Sequence, residues 1–155
     1  MQNLSKKTKY GLRALLALAK KRDQERMVIA DLAKQEGIPK KFLELILLEL
    51  KNQGILQSKK GKGGGYLLGK RPEAISLGDV IRALDGPLAS LPCVSQKAHR
   101  PCDECVDETT CGIRAVMQEV RDGTAKILDG TSLADVLRRT EQLEQERNHV
   151  LVYSI

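Results

Sequence analysis

The stretch SKKGKGGGYLLGK, residues 58–70, sets three consecutive glycines among four lysines and then turns apolar. It can be read as a phosphate-cradling loop of a nucleotide enzyme, as a flexible linker, or as a hairpin that grips a polyanion. A phosphate loop needs GxxxxGK followed by Ser or Thr at the opening of a helix. Gly64 to Lys70 spells GxxxxGK, but Arg71 stands where the hydroxyl belongs and Pro72 comes next. Tyr66-Leu67-Leu68 has strand character, which also argues against a solvated linker. Ile55 to Lys59 and Tyr66 to Leu68 therefore read as two short strands, with a glycine-rich tip from Lys60 to Gly65. Glycines at such a tip allow positive φ and close backbone approach. Lysines beside it neutralise phosphates and release counterions.

What precedes the hairpin decides its meaning. Leu12, Leu15, Leu16 and Ala19 recur at helical spacing and predict a first helix from Ser5 to about Lys21. Lys6, Lys7 and Lys9 load its first turns with charge that opposes the helix dipole, so they want an acidic partner or water. Val28 to Glu36 predicts a second helix, stopped by Gly37. Pro39 suits the first position of a third, running to about Gln53 with Phe42, Leu43, Ile46, Leu47 and Leu50 as its apolar stripe. Lys40, Lys41, Glu44 and Lys51 lie outside that stripe. Two helices joined by a short turn make a helix-turn-helix, and a basic hairpin directly after it makes a winged helix.

Charge along the chain supports the same division. Residues 1–71 hold 17 Lys and Arg against 6 Asp and Glu, a net of +11, whereas residues 72–155 carry a net of −5. One end is built to meet a polyanion and the other does different work. Aromatic residues are 3% of the chain, with no Trp. That is too few for the stacking platforms of single-strand binders. The longest apolar run, Ala14 to Ala19, is too short to span a bilayer. No signal-peptide pattern precedes it, so a cytoplasmic location without membrane attachment is expected.

In the second half, Leu77, Val80, Ile81 and Leu84 mark a connecting helix. Ser76 is its cap candidate and Ile75 could pack back as a hydrophobic staple. All four cysteines then fall in one polar stretch: Cys93, Cys102, Cys105 and Cys111, with eight, two and five residues between them. Buried inert cysteines scatter along apolar faces, so this concentration points to ligand or redox chemistry. Thiolates suit zinc or an iron–sulfur cluster, and spacing does not choose between them. Cys111 sits where a helix begins, an environment that favours a thiolate.

Ile113, Val116, Met117, Val120, Thr124, Ile127 and Leu128 then trace one face of a long helix. A second copy of the chain would cover such a face, as in two-fold DNA readers; packing within the monomer, for instance on the first helix, is the alternative. Thr131 or Ser132 caps a last helix containing Leu133, Val136 and Leu137. The apolar tail HVLVYSI reads as a strand, a docking segment or a frayed end. The fold class is thus mainly α with a small β-hairpin wing: a winged helix-turn-helix plus a long dimerisation helix. Its expected parts are a DNA-binding domain over 1–72, a connecting helix and turn over 73–92, the cysteine-rich loop over 93–111, and the dimerisation helix with C-terminal helix and tail over 112–155. No triad or paired-carboxylate arrangement is visible, so no enzyme is expected.

LSKKTKYGLRALL at 4–16, IPKKFLELILLEL at 38–50, KGKGGGYLLGK at 60–70 and ISLGDVIRALDG at 75–86 together resemble the IscR-type family of winged-helix transcription regulators, with its relatives NsrR and CymR. The resemblance spans nearly the whole chain. It implies a homodimer on double-stranded DNA, with the third helix in the major groove and the wing in the minor groove. Lys40, Lys41 and Glu44 match the family's base-reading turn; Lys59, Lys60, Lys62, Gly63 and Gly64 match its wing. Glutamate can accept from a cytosine amino group, and lysine can contact guanine edges or phosphates.

The resemblance further implies a regulator that senses iron–sulfur, redox or nitric-oxide status, with Cys93, Cys105 and Cys111 holding an iron–sulfur cluster. A 2Fe–2S cluster is favoured over 4Fe–4S, with zinc as the alternative. The family's histidine ligand falls on Arg114 and its acidic N-terminal ligand on Lys9, so neither is available here. Cys102 is an extra thiol, a substitute ligand or a redox partner for Cys105. His99 is a weaker ligand candidate, and His149 reads as a surface residue. Alternatives are a zinc or thiol-switch loop, or cluster-free control by an enzyme of cysteine metabolism. RNA polymerase is a further partner that such a regulator would meet.

Overall fold

Ser5 opens the first helix by accepting a hydrogen bond at its side-chain oxygen from the Thr8 amide, 3.0 Å away. Helix α1 then runs over Lys6–Ala19. The structure is a computed structural model that describes residues 4–21 and 25–153. Helix α2, Ile29–Glu36, ends on Gly37, whose φ of 62° is the left-handed conformation that stops a helix. Helix α3 spans Lys40–Asn52. Pro39 is its N-cap, one position before the expected first turn; with φ −56° and ψ 124° it still sets the helix direction. Leu15, Leu32, Leu43, Ile46, Leu47 and Leu50 are fully buried among these helices. Removing each from water contributes roughly 1.5–3 kcal/mol before entropy is counted. Tyr10 and Phe42 meet edge to face across α1 and α3, with ring centroids 5.7 Å apart.

The hairpin forms as expected. Strand β1, Leu56–Lys59, pairs antiparallel with β2, Gly65–Leu68, with Lys59 opposite Gly65. Met27 bridges the other edge of β2 through two hydrogen bonds with Tyr66, each 2.9 Å. Gly65, at φ 142°, lets that segment come close: a Cβ there would lie 2.5 Å from the Met27 carbonyl oxygen. Pro72–Ala74 is a single 3-10 turn rather than the helix of a phosphate loop.

Helix α4, Leu77–Asp85, packs on α1 and α3. Ser76 caps it by accepting from the Asp79 amide, and Ile75 is 1% exposed in the core, as the staple requires. Helix α5, Gly112–Asp129, lies on α4 and on a 3-10 turn at Pro92–Val94. Helix α6, Leu133–Tyr153, is capped by Ser132, not Thr131. Ser132 and Asp135 satisfy each other's amides as a capping box, while the Thr131 hydroxyl donates back to the Ile127 carbonyl. Ser132 also bridges Ser76, and Leu133 is fully buried, so the start of α6 is tied to the winged half. Most of the apolar tail continues α6; its last two residues lie outside the described ones. Among the described residues no helix is long and apolar enough to cross a membrane.

Candidate nucleic-acid interface and cysteine loop

The core side of α3 is fully occupied, so its other side is available. Lys40, Lys41 and Glu44 are exposed in its first turns. Lys59, Lys60 and Lys62 are exposed on the hairpin, at its tip or beside it. Gly61 and Gly63 take φ of 88° and 74°, which a side chain would resist. Gly64 packs against its own loop: a Cβ there would lie 2.5 Å from the Lys59 carbonyl oxygen. The tip is therefore a defined turn that holds its lysines outward, not a slack tether.

Three features of this surface escaped the sequence reading. Arg26 donates to the Gly63 carbonyl at 3.4 Å, adding a guanidinium to the wing. The Met27–Tyr66 bridge, between residues far apart in the chain, holds the neighbouring residue against the wing. Leu45 and Leu48 are the other two, 62% and 48% exposed on α3. Their signal was legible: they stand four and seven residues after Lys41, on the side away from the stripe. The charge at the start of α1 is partly answered within the fold, since Lys7 pairs with Glu49 of α3 at 3.0 Å.

Two arginines of α5 pin the start of the cysteine region. Arg114 donates through Nε to the Cys93 carbonyl at 3.3 Å, and Arg121 donates to the Val94 carbonyl. Cys93 is buried, Cys105 and Cys111 are partly buried, and Cys102 is exposed. Cys111 caps α5, its sulfur accepting from the Arg114 amide at 3.4 Å. Cys102 stands beside Cys93, with sulfurs 3.7 Å apart. Of the two roles offered for Cys102, substitute ligand or redox partner of Cys105, neither is decided by this approach, which adds Cys93 as a neighbour. The two-residue spacing places 102 and 105 at the ends of a tight turn closed by the Cys105 amide on the Cys102 carbonyl, and the chain then folds Cys102 back toward Cys93.

The hydrogen bond with Cys93 is the main reason the Cys102 thiol titrates above its ordinary value. Burial is the main reason for Cys105, with the Glu108 charge next. His99 is engaged with Glu108, Nε2 to Oε2 at 3.1 Å. The other Glu108 oxygen, Oε1, is buried without a hydrogen-bond partner. Hydroxyls and the amide of the following threonines hold the Asp107 carboxyl below its usual range. Among the described residues no three Cys, His, Asp or Glu side chains are gathered closely enough to hold a metal ion. The donor chemistry nevertheless suits a thiophilic one: the loop carries four free thiols, two of them with sulfurs 3.7 Å apart, and a buried Glu108 carboxylate oxygen without a hydrogen-bond partner.

On α5 the apolar stripe is open. Ile113, Val116, Val120 and Ile127 are 71, 59, 41 and 68% exposed. The turn at Pro92–Val94 and α4 both pack on α5, whereas α1 packs on α4 and α6.

Residues 4–139 match the family model described as Rrf2, iron-dependent transcriptional regulator. An rrf2-like HTH-type transcriptional regulator of Rhodobacter capsulatus is 43% identical over 86% of this chain and 91% of its own. The solved structure of CymR, the global cysteine regulator of B. subtilis, superposes with a TM-score of 0.70 at 30% identity, over 88% of this chain and 96% of that one. T. potens IscR does so with a TM-score of 0.69 at 28% identity, over 92% and 90%. With a winged helix-turn-helix, a cysteine loop at the head of α5 and a match across nearly its whole length, the chain belongs to the Rrf2 family of transcriptional regulators and is not an enzyme.

Proposed function

We propose that the protein binds duplex DNA as a homodimer, with the start of α3 in the major groove and the lysine hairpin against the adjacent minor groove. The observation that supports this is that Lys40, Lys41 and Glu44 in the first turns of α3, and Lys59, Lys60 and Lys62 on the hairpin that follows it, are all exposed while the apolar side of α3 is fully buried. Glu44 accepts from a cytosine amino group, the helix lysines take guanine edges or phosphates, and the wing lysines and Gly63–Gly64 backbone track the phosphates. The open face of α5 is covered by the same face of a second copy. The two reading heads are then spaced near one DNA turn, about 34 Å.

In this reading Cys93, Cys105 and Cys111 would hold an iron–sulfur cluster, 2Fe–2S in preference to 4Fe–4S, and Cys102 would supply the thiol in place of the missing histidine. The cluster would supply a redox- and nitric-oxide-sensitive centre. The protein's own part is to relay its state. Arg114 and Arg121 tie the Cys93 segment to α5, so a change in the loop reaches the dimer helix and tilts the reading heads. The anaerobic visible spectrum with iron and sulfide counts tests this half; a colourless protein with stoichiometric zinc rejects it.

One observation favours a second reading of the loop. Cys93 and Cys102 sulfurs at 3.7 Å need only a small approach to bond. A hydroperoxide would take two electrons and two protons from the pair, leaving a disulfide and releasing water and an alcohol. Operator binding measured before and after peroxide, with the thiols counted, separates this from the cluster.

A further inference from the structure

Helix α3 carries more leucine than its core requires. Leu43, Ile46, Leu47 and Leu50 are fully buried. Each residue turns the helix by about 100°, so Lys41, Glu44, Leu45 and Leu48 fall on the opposite face. Leu45 and Leu48 are 62% and 48% exposed there. A single exposed leucine is ordinary, but two adjacent ones between a lysine and a glutamate form an apolar spot inside a charged surface.

The surroundings say what covers that spot. Lys40 and Lys41 flank it on the helix; Lys59, Lys60, Lys62 and Arg26 stand on the neighbouring wing, so the flank as a whole is complementary to a polyanion. The apolar stripe on α5 is a separate surface for a second copy. A major groove admits an α-helix, and among its base edges only thymine offers an apolar group, the C5 methyl. We propose that Leu45, flanked by Leu48, reads a thymine methyl in the major groove, close to the base pair that Glu44 contacts. This rests on the groove-inserted reading of α3 and adds a base that none of its polar side chains selects. Glutamate and leucine on one face then define a mixed cytosine and thymine preference, which a purely polar face would lack.

The test uses full-length wild type, Leu45→Ala and Glu44→Ala, each allowed to select duplexes from one random pool. Both changes are on exposed positions, and unchanged melting temperatures check the fold. The wild type is expected to select a thymine at a position where Leu45→Ala is indifferent. Replacing that thymine with deoxyuridine removes only the methyl. It should weaken wild-type binding about fourfold, the equivalent of ~0.8 kcal/mol for one methyl-sized group removed from water, and leave Leu45→Ala unaffected. If deoxyuridine costs both proteins equally, or costs the wild type nothing while Glu44→Ala still alters the selected bases, the leucine proposal alone is overturned. If the wild type selects no sequence at all, the groove-inserted reading of α3 falls with it.

Discussion

Arg82 and Asp129 close a two-pronged ion pair between α4 and the last turn of α5, with nitrogen–oxygen distances of 2.6 and 2.8 Å. Their mutual hydrogen bonding raises the Arg82 pKa and lowers that of Asp129. The pair clamps the winged half to the long helix, and it fits only because residue 78 is glycine. A Cβ there would lie 1.9 Å from Asp129 Oδ1.

Gly78→Ala should therefore eject the Asp129 side chain and uncouple α4 from α5 without unfolding the protein. The lost pair is partly solvated and contributes only about 0.5–1 kcal/mol after screening. Alanine in place of a helical glycine returns a similar ~0.5–1 kcal/mol. Net stability should hardly move, and adding Asp129→Asn should change little more. Urea unfolding of the two single variants and the double variant checks this; simple additivity of the two changes would count against the clamp.

The pair also sets an acid response. A folded-state carboxyl held below its unfolded value contributes stability that is present above the ordinary aspartate range near ~pH 4 and lost as pH falls through the depressed value. The stability gap between wild type and Asp129→Asn should thus be constant at neutral pH and close below about pH 4. Asp85 and Asp135 shift in the same direction, so the comparison must be made against the variant and not read from the wild-type curve alone.

Gly11 serves a different need. A Cβ on it would lie 2.4 Å from Leu84 and 3.3 Å from Ile46, where α1 crosses α4 and α3. Gly11→Ala should overpack this crossing and cost about 1–3 kcal/mol, seen as a lower urea midpoint. A melting temperature equal to wild type would mean that the crossing relaxes freely.

Changing Lys59, Lys60 and Lys62 together to alanine should flatten the dependence of DNA affinity on salt. Three phosphate contacts account for about 2.7 of the logarithmic slope. Sequence preference should survive, because these lysines face the backbone. An unchanged slope would remove the wing from the interface.

Val120→Glu should yield monomers in sedimentation, since it places a charge in the middle of the open α5 stripe, while the winged half keeps its fold. Dimers that persist would place the subunit contact elsewhere. Among the cysteines, changing Cys93, Cys105 or Cys111 to serine should abolish bound iron and sulfide. Cys102→Ser separates the two readings of the loop: loss of the cluster makes it a ligand, whereas loss of the peroxide response alone makes it the partner of Cys93.

The helices, hairpin and caps were legible in the residues because each depends on near neighbours in the chain. Leu43 to Leu50 recur at helical spacing, Gly37 stops α2, Ser76 caps α4, and the glycines at 61 and 63 occupy a tip that needs positive φ. The wing lysines and the first turns of α3 followed from the same local logic, as did the open stripe of α5. What the chain order could not settle were contacts between distant segments. Arg26 on the wing, the Cys93–Cys102 approach, the Arg82–Asp129 clamp and the bridge from Ser76 to Ser132 each join residues that only packing brings together. Local propensity carries no information about which of several thiols or carboxylates will meet; that is decided when helix crossings set the distances.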